Sequence, residues 1–151
     1  MTIELITAAT PELHEAMARL LPQLSRSAKP MSEADVERFL AQGGVHLFVF
    51  RPDTADAEGN RPILGMLSLA TFEIPTGVRA WVEDVVVDEA ARGHGAGQSL
   101  VVAAIEHAKK IGARTVDLTS RPSREAANRL YQRAGFKLRE TNVYRVTLEQ
   151  K

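Results

Sequence analysis

Cysteine is absent from this chain of 151 residues. Its absence excludes disulfide bonds, thiolate metal sites and a covalent cysteine nucleophile. The four histidines, at positions 14, 46, 94 and 107, lack the spacing of metal ligands, so the sequence predicts no structural zinc. Any chemistry must therefore rest on oxygen and nitrogen side chains and on the backbone.

An excess of charge is lacking as well, because 19 basic and 19 acidic residues give a formal net charge of zero. A general nucleic-acid-binding or membrane-surface role therefore has no electrostatic support. Hydrophobic runs long enough to span a bilayer are missing, and the N-terminus has no basic segment followed by an apolar one. With 44% hydrophobic and 25% charged residues, the sequence predicts a globular, cytoplasmic protein.

The hydrophobic periodicity predicts a single domain over residues 1–151 with the element order βααβββαβαββ. The predicted strands cover residues 2–7, 45–50, 63–71, 79–87, 114–119, 136–138 and 143–148. Short turns join the three central strands, so these should be antiparallel, whereas the long crossover through the third helix should give a parallel pair. The predicted fold class is therefore α/β, with a mixed, mostly antiparallel sheet and helices on both faces.

The stretch from Trp81 to Leu100 combines a buried strand, a short acidic turn, a glycine-rich loop and the start of a helix. Glycines let a backbone approach a ligand closely, and the first N–H groups of a helix attract anions. Two well-known phosphate loops do not fit. The pattern G-x-G-x-x-G fails because Gln98 or Leu100 stands at its last position, and the P-loop fails because Gln98 rather than lysine follows Gly97.

The loop does carry the pattern Arg-x-x-Gly-x-Gly, from Arg92 to Gly97. This pattern resembles the acyl-CoA-binding motif of the GNAT superfamily of N-acetyltransferases. The stretch from Arg121 to Phe136 resembles the later motif of that family, in which an asparagine precedes Leu-Tyr and the motif ends in Gly-Phe. The resemblance implies a GNAT-like acyl-CoA N-acyltransferase fold, in which the parallel pair of strands splays apart.

The resemblance also implies acetyl-CoA as the cofactor. Its pyrophosphate would lie on backbone N–H groups at the helix start, near the permanent charge of Arg92. Its pantetheine arm would pair with the strand edge at residues 85–87. His94 belongs to the loop, although a solvated side chain is its alternative interpretation. The implied cofactor-binding residues are Val85, Val86, Val87, Arg92, Gly93, His94, Gly95, Ala96, Gly97, Gln98, Asn128 and Tyr131.

Transfer to an amine needs a proton acceptor, because an ammonium ion has no lone pair. Glu83 and Asp84 are the candidates, since they interrupt an apolar strand where burial would raise the pKa of a carboxyl group. Alternation would place them on opposite sides of the sheet. We favour Glu83 as the base; the alternative is that both carboxylates only pair with arginines.

Two further groups complete the expected chemistry. A backbone N–H of residue 85 or 86 would stabilise the oxyanion. The resemblance gives Tyr131 the role of proton donor to the leaving thiolate, which suits a phenol that is protonated at neutral pH. Asn128 stands three residues before Tyr131 and shares its helix face, so a joint site is predicted. Packing alone is the alternative role for Tyr131.

The acceptor should lie among the first two helices, the loop at residues 25–31 and the turn at residues 72–77, which carry Arg26, Lys29, Glu33 and Glu73. The short connection predicted at residues 139–142 leaves little room for a peptide-binding insert, so we expect a small-molecule amine. A protein N-terminus or lysine is the alternative acceptor, and a non-catalytic acyl-CoA sensor is the alternative function. We expect neither nucleic acid nor membrane as a partner, and the sequence leaves room for a homodimer.

Overall fold

The computed structural model describes residues 2–150, which form one five-stranded sheet between two pairs of helices. The elements are β1 Thr2–Ile6, α1 Pro11–Leu24, α2 Glu33–Leu40, β2 Val45–Arg51, β3 Gly65–Ile74, β4 Gly77–Val87, α3 Ala96–Lys110, β5 Thr115–Asp117 and α4 Glu125–Arg133. The strands lie in the order β1-β2-β3-β4-β5, with β4 and β5 parallel and every other pair antiparallel. The predicted mixed α/β sheet is therefore confirmed.

The first two helices begin where their sequence signals predict. The Thr10 hydroxyl accepts a hydrogen bond from the N–H of Leu13 at 3.1 Å, and Pro11 occupies the first helical position of α1. At α2, Ser32 and Asp35 form a reciprocal capping box, with bonds of 3.1 and 2.9 Å. These caps fix the N-terminal ends of α1 and α2, which pack on one face of the sheet.

Strand alternation divides the core between the two faces. Phe48 and Phe50 of β2 pack with α3 and α4, whereas Leu47 and Val49 of the same strand pack with α1 and α2. This is the period of two that a strand buried on both faces requires. Helices on both faces are therefore confirmed.

The prediction of two strands at residues 136–138 and 143–148 is wrong, because this segment has no regular secondary structure. β5 is also shorter than the predicted 114–119. A strand needs a hydrogen-bonding partner, and among the described residues no strand pairs with residues 137–150. The side chains of this segment alternate as those of a strand do. The pattern alone, however, does not supply a hydrogen-bonding partner.

A pair of histidines joins the sheet to α3. The His46 Nε2 lies 3.1 Å from the Thr71 hydroxyl, and its Nδ1 lies 3.3 Å from the His107 Nε2. Burial lowers the pKa of His46 from its ordinary value of 6.5, and the neighbouring charge of His107 lowers it further. The unfolded chain therefore takes up a proton at His46 at a higher pH than the folded protein does.

We expect the free energy of unfolding to fall as the pH drops below 6.5, because protonation of His46 then favours the unfolded chain. Urea unfolding at about pH 7.5 and about pH 5.5 measures this loss. The variant His46→Gln keeps a polar group near Thr71 and should lose less stability on acidification than the wild type. Equal losses in the two proteins would contradict the assignment to His46.

Candidate active site

One edge of β4 is free where the strand approaches the glycine-rich loop. β5 pairs with β4 only from Arg79 to Trp81, and no other described strand lies beside residues 82–87 on that side. The parallel pair therefore opens into a slot. Main-chain groups of β4 in this slot can pair with the amides of an extended ligand.

A β-bulge interrupts β4 at Asp84, whose φ of +49° lies in the left-handed region. The bulge shifts the register with β3, where Glu83 is opposite Ser68 and Val86 is opposite Met66. We predicted that side chains alternate strictly between the two sides of the sheet through Glu83 and Asp84. That prediction is wrong, because the bulge interrupts the alternation. The bulge also explains why Val82 packs on the α3 face of the sheet while Val86, four residues later, packs on the α1 face.

Glu83 and Asp84 are both exposed and lie outside the lining of the large cleft described below. The burial that we expected for Glu83 and Asp84 is therefore not observed. Neither carboxylate makes an ion pair within the described residues, so the alternative that they only pair with arginines is not observed either. Both remain accessible to solvent beside the bulge.

The glycine-rich loop ends in a helix start that lacks its own anionic partner. Gly93 and Gly95 have φ values of +85° and +79°, which side-chain-bearing residues rarely adopt. Gly95 is the N-cap of α3, makes no side-chain capping bond, and is followed by a first turn without an acidic residue. The free N–H groups of this 15-residue helix fit a phosphate group.

Gly97 has a different role from the other two glycines of the loop. A Cβ built on Gly97 would lie 3.0 Å from the Leu130 Cδ1, so its lack of a side chain lets α3 pack closely against α4. Nothing within 4 Å would meet a Cβ on Gly93. The open side of the loop is therefore at Gly93, where a ligand can approach the backbone.

A cleft of about 680 Å³ lies between the free edge of β4 and α4. It is lined by six of the predicted site residues, namely Val85, Val86, Val87, Arg92, Gly97 and Tyr131. The remaining predicted residues are not part of its lining: Glu83, Asp84, Gly93, His94, Gly95, Ala96, Gln98 and Asn128. Of these, His94 is exposed, Ala96 is buried in the core and Gln98 has a buried, unpartnered Oε1.

Three arginines and no carboxylate line this cleft, although the chain has no net charge. Arg92 donates from Nε to the Val87 carbonyl at 3.3 Å and has only a distant 4.0 Å pairing with Glu89. Arg121 and Arg124 make no ion pair among the described residues. The cleft is therefore locally cationic, as a polyanionic ligand requires.

Sequence reasoning missed Arg121 and Arg124 as site residues. The signal was present, since both lie just before α4 within the second motif and are three residues apart. It missed Ser123 and Ala127 of the same wall too, together with Gln23 and Leu24 of α1. Those four residues reach the cleft only through the packing of α1 and α4 around the slot, which the sequence pattern does not show.

Tyr131 is 8% exposed and points its ring edge-on to Phe136, with the ring centroids 6.0 Å apart. Burial raises the pKa of its phenol, and the nearby charge of Arg124 opposes that rise. The phenol is therefore protonated at neutral pH. Within the described residues its oxygen makes no hydrogen bond, so the O–H is free to donate to a ligand in the cleft.

Asn128 holds the wall of the cleft in place. Its Nδ2 donates to the Arg121 carbonyl at 3.0 Å, which ties α4 to the segment that precedes it. The amide therefore positions the backbone that carries Arg121 and Arg124. The side chain of Asn128 is not part of the cleft lining beside Tyr131.

A polar cluster anchors the end of β4 to α1. Asp88 accepts hydrogen bonds from Arg19 at 3.1 Å and from Gln23 at 3.3 Å, and Gln23 accepts one from the Glu89 N–H at 3.2 Å. The bond from the Ala90 N–H is the largest cause that lowers the pKa of Asp88, and the bonds from Gln23 and Arg19 lower it further. The cluster fixes the position of α1 at the mouth of the cleft.

The described part of the chain contains no group of three or more histidine, cysteine or acidic side chains that could hold a metal ion. Among the same residues, no helix combines the length and the apolarity needed to cross a membrane.

Comparison with known proteins gives consistent results. The model of the acetyltransferase (GNAT) family matches residues 11–136. Glucosamine 6-phosphate N-acetyltransferase 1 of rice, Oryza sativa subsp. japonica, is 36% identical over 121 residues, which cover 78% of this chain and 70% of the relative.

Solved structures share the fold over nearly the whole chain. An acetyltransferase of Trypanosoma brucei superposes with a TM-score of 0.74 at 27% identity, covering 97% of this chain and 100% of that one. AAC(6')-Iy, in complex with the bisubstrate analog CoA-S-monomethyl-acetylneamine, has a TM-score of 0.76 at 16% identity and coverage of 97% for both chains. The family match and the relative from rice show that this chain belongs to the acetyltransferase (GNAT) family and is an N-acetyltransferase.

Proposed function

We propose that the protein transfers the acetyl group of acetyl-CoA to the primary amine of a small molecule, by direct attack in a ternary complex. The cationic cleft beside the free edge of β4 carries this proposal. It offers main-chain partners for an extended amide-bearing arm, free N–H groups at a helix start, and arginines for phosphates. No cysteine is available for a covalent intermediate, which favours direct transfer.

In this proposal, different residues around the cleft bind different parts of acetyl-CoA. The backbone from Gly93 to Gln98 at the start of α3 holds the pyrophosphate, and Arg92 adds positive charge. Arg121 and Arg124 lie across the cleft, where they pair with phosphate oxygens. The strand edge at residues 85–87 binds the pantetheine amides, and a main-chain N–H of the same segment stabilises the oxyanion.

Two proton transfers accompany the reaction. The O–H of Tyr131, which lines the cleft, donates to the leaving thiolate; the raised pKa of the phenol and the lack of a hydrogen bond to its oxygen within the described residues support this role. The attacking amine loses its proton to Glu83 or Asp84, directly or through water, since both carboxylates are accessible beside the bulge. Glu83 stays our first candidate for the base. Because of the bulge, strict alternation no longer assigns the two carboxylates to opposite sides of the sheet.

The acceptor that we favour is an amine on a polar small molecule such as an amino sugar or amino sugar phosphate. The relative from rice carries glucosamine 6-phosphate in its name. In this chain the connection between α1 and α2 supplies Arg26 and Lys29 as cations for an acidic group. This connection follows Gln23 and Leu24, which line the cleft.

A thiol-release assay with acetyl-CoA tests the proposal against amino sugars, amino sugar phosphates, aminoglycosides, polyamines, amino acids and peptides. Saturable release with a small amine supports the proposal. Saturation only with peptides would support the protein-acetylating alternative. Tight binding of CoA without release on any amine, and no effect of Tyr131→Phe, would support the sensor alternative.

We expect Arg124→Gln to weaken CoA binding about tenfold, because a charge-assisted bond to a phosphate is lost from a solvent-accessible cleft. Isothermal titration with CoA measures the change. Arg133→Gln is the matched control, since Arg133 is an exposed arginine in the last turn of α4, the helix that Arg124 directly precedes, and does not line the cleft. Equal weakening in both variants would show that the effect is one of general charge rather than of the cleft.

A further inference from the structure

The only tryptophan of the chain lies on the sheet outside both of its hydrophobic clusters. Ala80 and Val82 pack in the cluster on the α3 face, so Trp81 between them points to the opposite face. On that opposite face, Met66 and Val86 pack with α1 and α2, whereas Trp81 belongs to neither cluster of the described residues. Trp81 is therefore half-buried on a part of the sheet that the core does not use.

A row of three residues crosses the sheet at this point. Trp81 is opposite Ala70 of β3 and beside Asp117 of β5, so the three side chains share one face. Ala70 carries only a methyl group, which leaves the space beside the indole free. Asp117 is half-buried and makes no ion pair among the described residues. Phe72, two residues after Ala70 on the same face, is 45% exposed, which shows that the face is open.

The same face leads along β4 to the active site. Glu83 follows Trp81 by two residues and lies opposite Ser68, directly before the bulge at Asp84. Val85, directly after the bulge, lines the cleft. Two residues of a strand span about 7 Å, which one sugar ring fills. A small acceptor whose amine lies beside Glu83 therefore extends over Trp81.

We propose that Trp81 and Asp117 form the subsite that selects the acceptor, an amino sugar whose ring stacks on the indole while a hydroxyl or a second amine binds the Asp117 carboxylate. This inference rests on the proposed function, because it takes Glu83 and the bulge as the place of attack. The face of an aromatic ring is electron-rich and attracts the C–H groups of a sugar as well as an ammonium group. A carboxylate accepts hydrogen bonds from hydroxyl and ammonium groups alike.

The charges on this face favour a single ring over a long polycation. Glu83 and Asp117 both place a carboxylate on it, which attracts a neutral or cationic acceptor. The next row contains Arg79, opposite Phe72, and its guanidinium donates to the Thr76 hydroxyl at 3.0 Å. A second or third ammonium group of a long linear polyamine would approach this positive charge. A sugar with one or two amines ends before it.

Tryptophan fluorescence tests the stacking directly, because every change in tryptophan emission comes from Trp81. CoA replaces acetyl-CoA in this titration, so that no transfer occurs. Glucosamine or glucosamine 6-phosphate is expected to change the emission saturably, whereas ethanolamine, which has an amine but no ring, is expected to leave it unchanged at the same concentrations. Unchanged emission with both sugars would overturn the proposal, as would saturation by ethanolamine or spermidine at lower concentrations than either sugar.

Substitutions separate recognition of the ring from packing. Trp81→Leu is expected to raise the KM for the amino sugar about tenfold and to leave kcat within about twofold, because the stacking contact is made equally before and during transfer. Trp81→Phe keeps an aromatic face and should restore most of the lost affinity. Asp117→Asn should also raise the KM, whereas Asp56→Asn, in the exposed connection between β2 and β3, is the matched control and should not. Circular dichroism of each variant confirms that the domain is folded.

The subsite and the proposed function fail in different ways. If an amino sugar gives saturable thiol release but its KM is unaltered in Trp81→Leu and Asp117→Asn, the subsite is overturned and the proposed function stands. If no small amine gives release, the proposed function is overturned. The emission titration, which needs no turnover, then decides by itself whether Trp81 binds an amino sugar.

Discussion

Replacing Tyr131 with phenylalanine is expected to lower kcat at least a hundredfold, because general acid catalysis contributes factors of this size or more. The substitution removes only the O–H, so the ring keeps its edge-on packing against Phe136 and the free energy of unfolding should change little. The KM for acetyl-CoA should stay within about twofold, since the lost bond forms chiefly as the thiolate leaves. Steady-state kinetics on the acceptor found in the thiol-release assay measure both quantities.

The chain provides a matched control for this substitution. It contains two tyrosines, and the second, Tyr144, is 87% exposed in the C-terminal segment after α4. Tyr144→Phe removes the same hydroxyl without changing the cleft and should leave kcat unaltered. If Tyr131→Phe retained wild-type kcat, Tyr131 would be a packing residue, and the proton for the leaving thiolate would have to come from water.

The parts of the fold and site that follow from local pattern could be predicted from the sequence. The sheet with helices on both faces follows from alternation and helical spacing, and the loop from Arg92 to Gly97 follows from glycine at positions of positive φ. Such features depend on neighbours in the chain. The sequence therefore predicts a binding edge at residues 85–87, and the structure has a cleft beside that edge, whose role stays a prediction.

What could not be predicted depends on contacts between distant segments. The bulge at Asp84 belongs to the register between β4 and β3. A side-chain pattern with a strict period of two does not predict it. Arg121 and Arg124 became site residues only when α4 packed across the slot from β4. Residues 143–148 have the side-chain pattern of a strand, but among the described residues no strand pairs with them.

The second large effect is expected at the glycine-rich loop, where Gly93→Val should weaken CoA binding by more than tenfold. Gly93 has a φ of +85°, and valine is strongly disfavoured there, so the loop must change its backbone conformation and turn its N–H groups away from the phosphates. A Cβ at this position meets nothing within 4 Å, so overcrowding of the core is not a competing explanation. Titration with CoA measures the dissociation constant.

Gly59→Val separates this effect from general strain. Gly59 has a φ of +82°, its Cβ would also meet nothing within 4 Å, and it lies in the exposed connection between β2 and β3. The two substitutions therefore impose the same backbone strain and should lower the urea midpoint by similar amounts. Only Gly93→Val should also lose CoA affinity. If both variants bound CoA as the wild type does, the phosphates would not lie on this loop, and the arginines of the α4 wall would have to hold them instead.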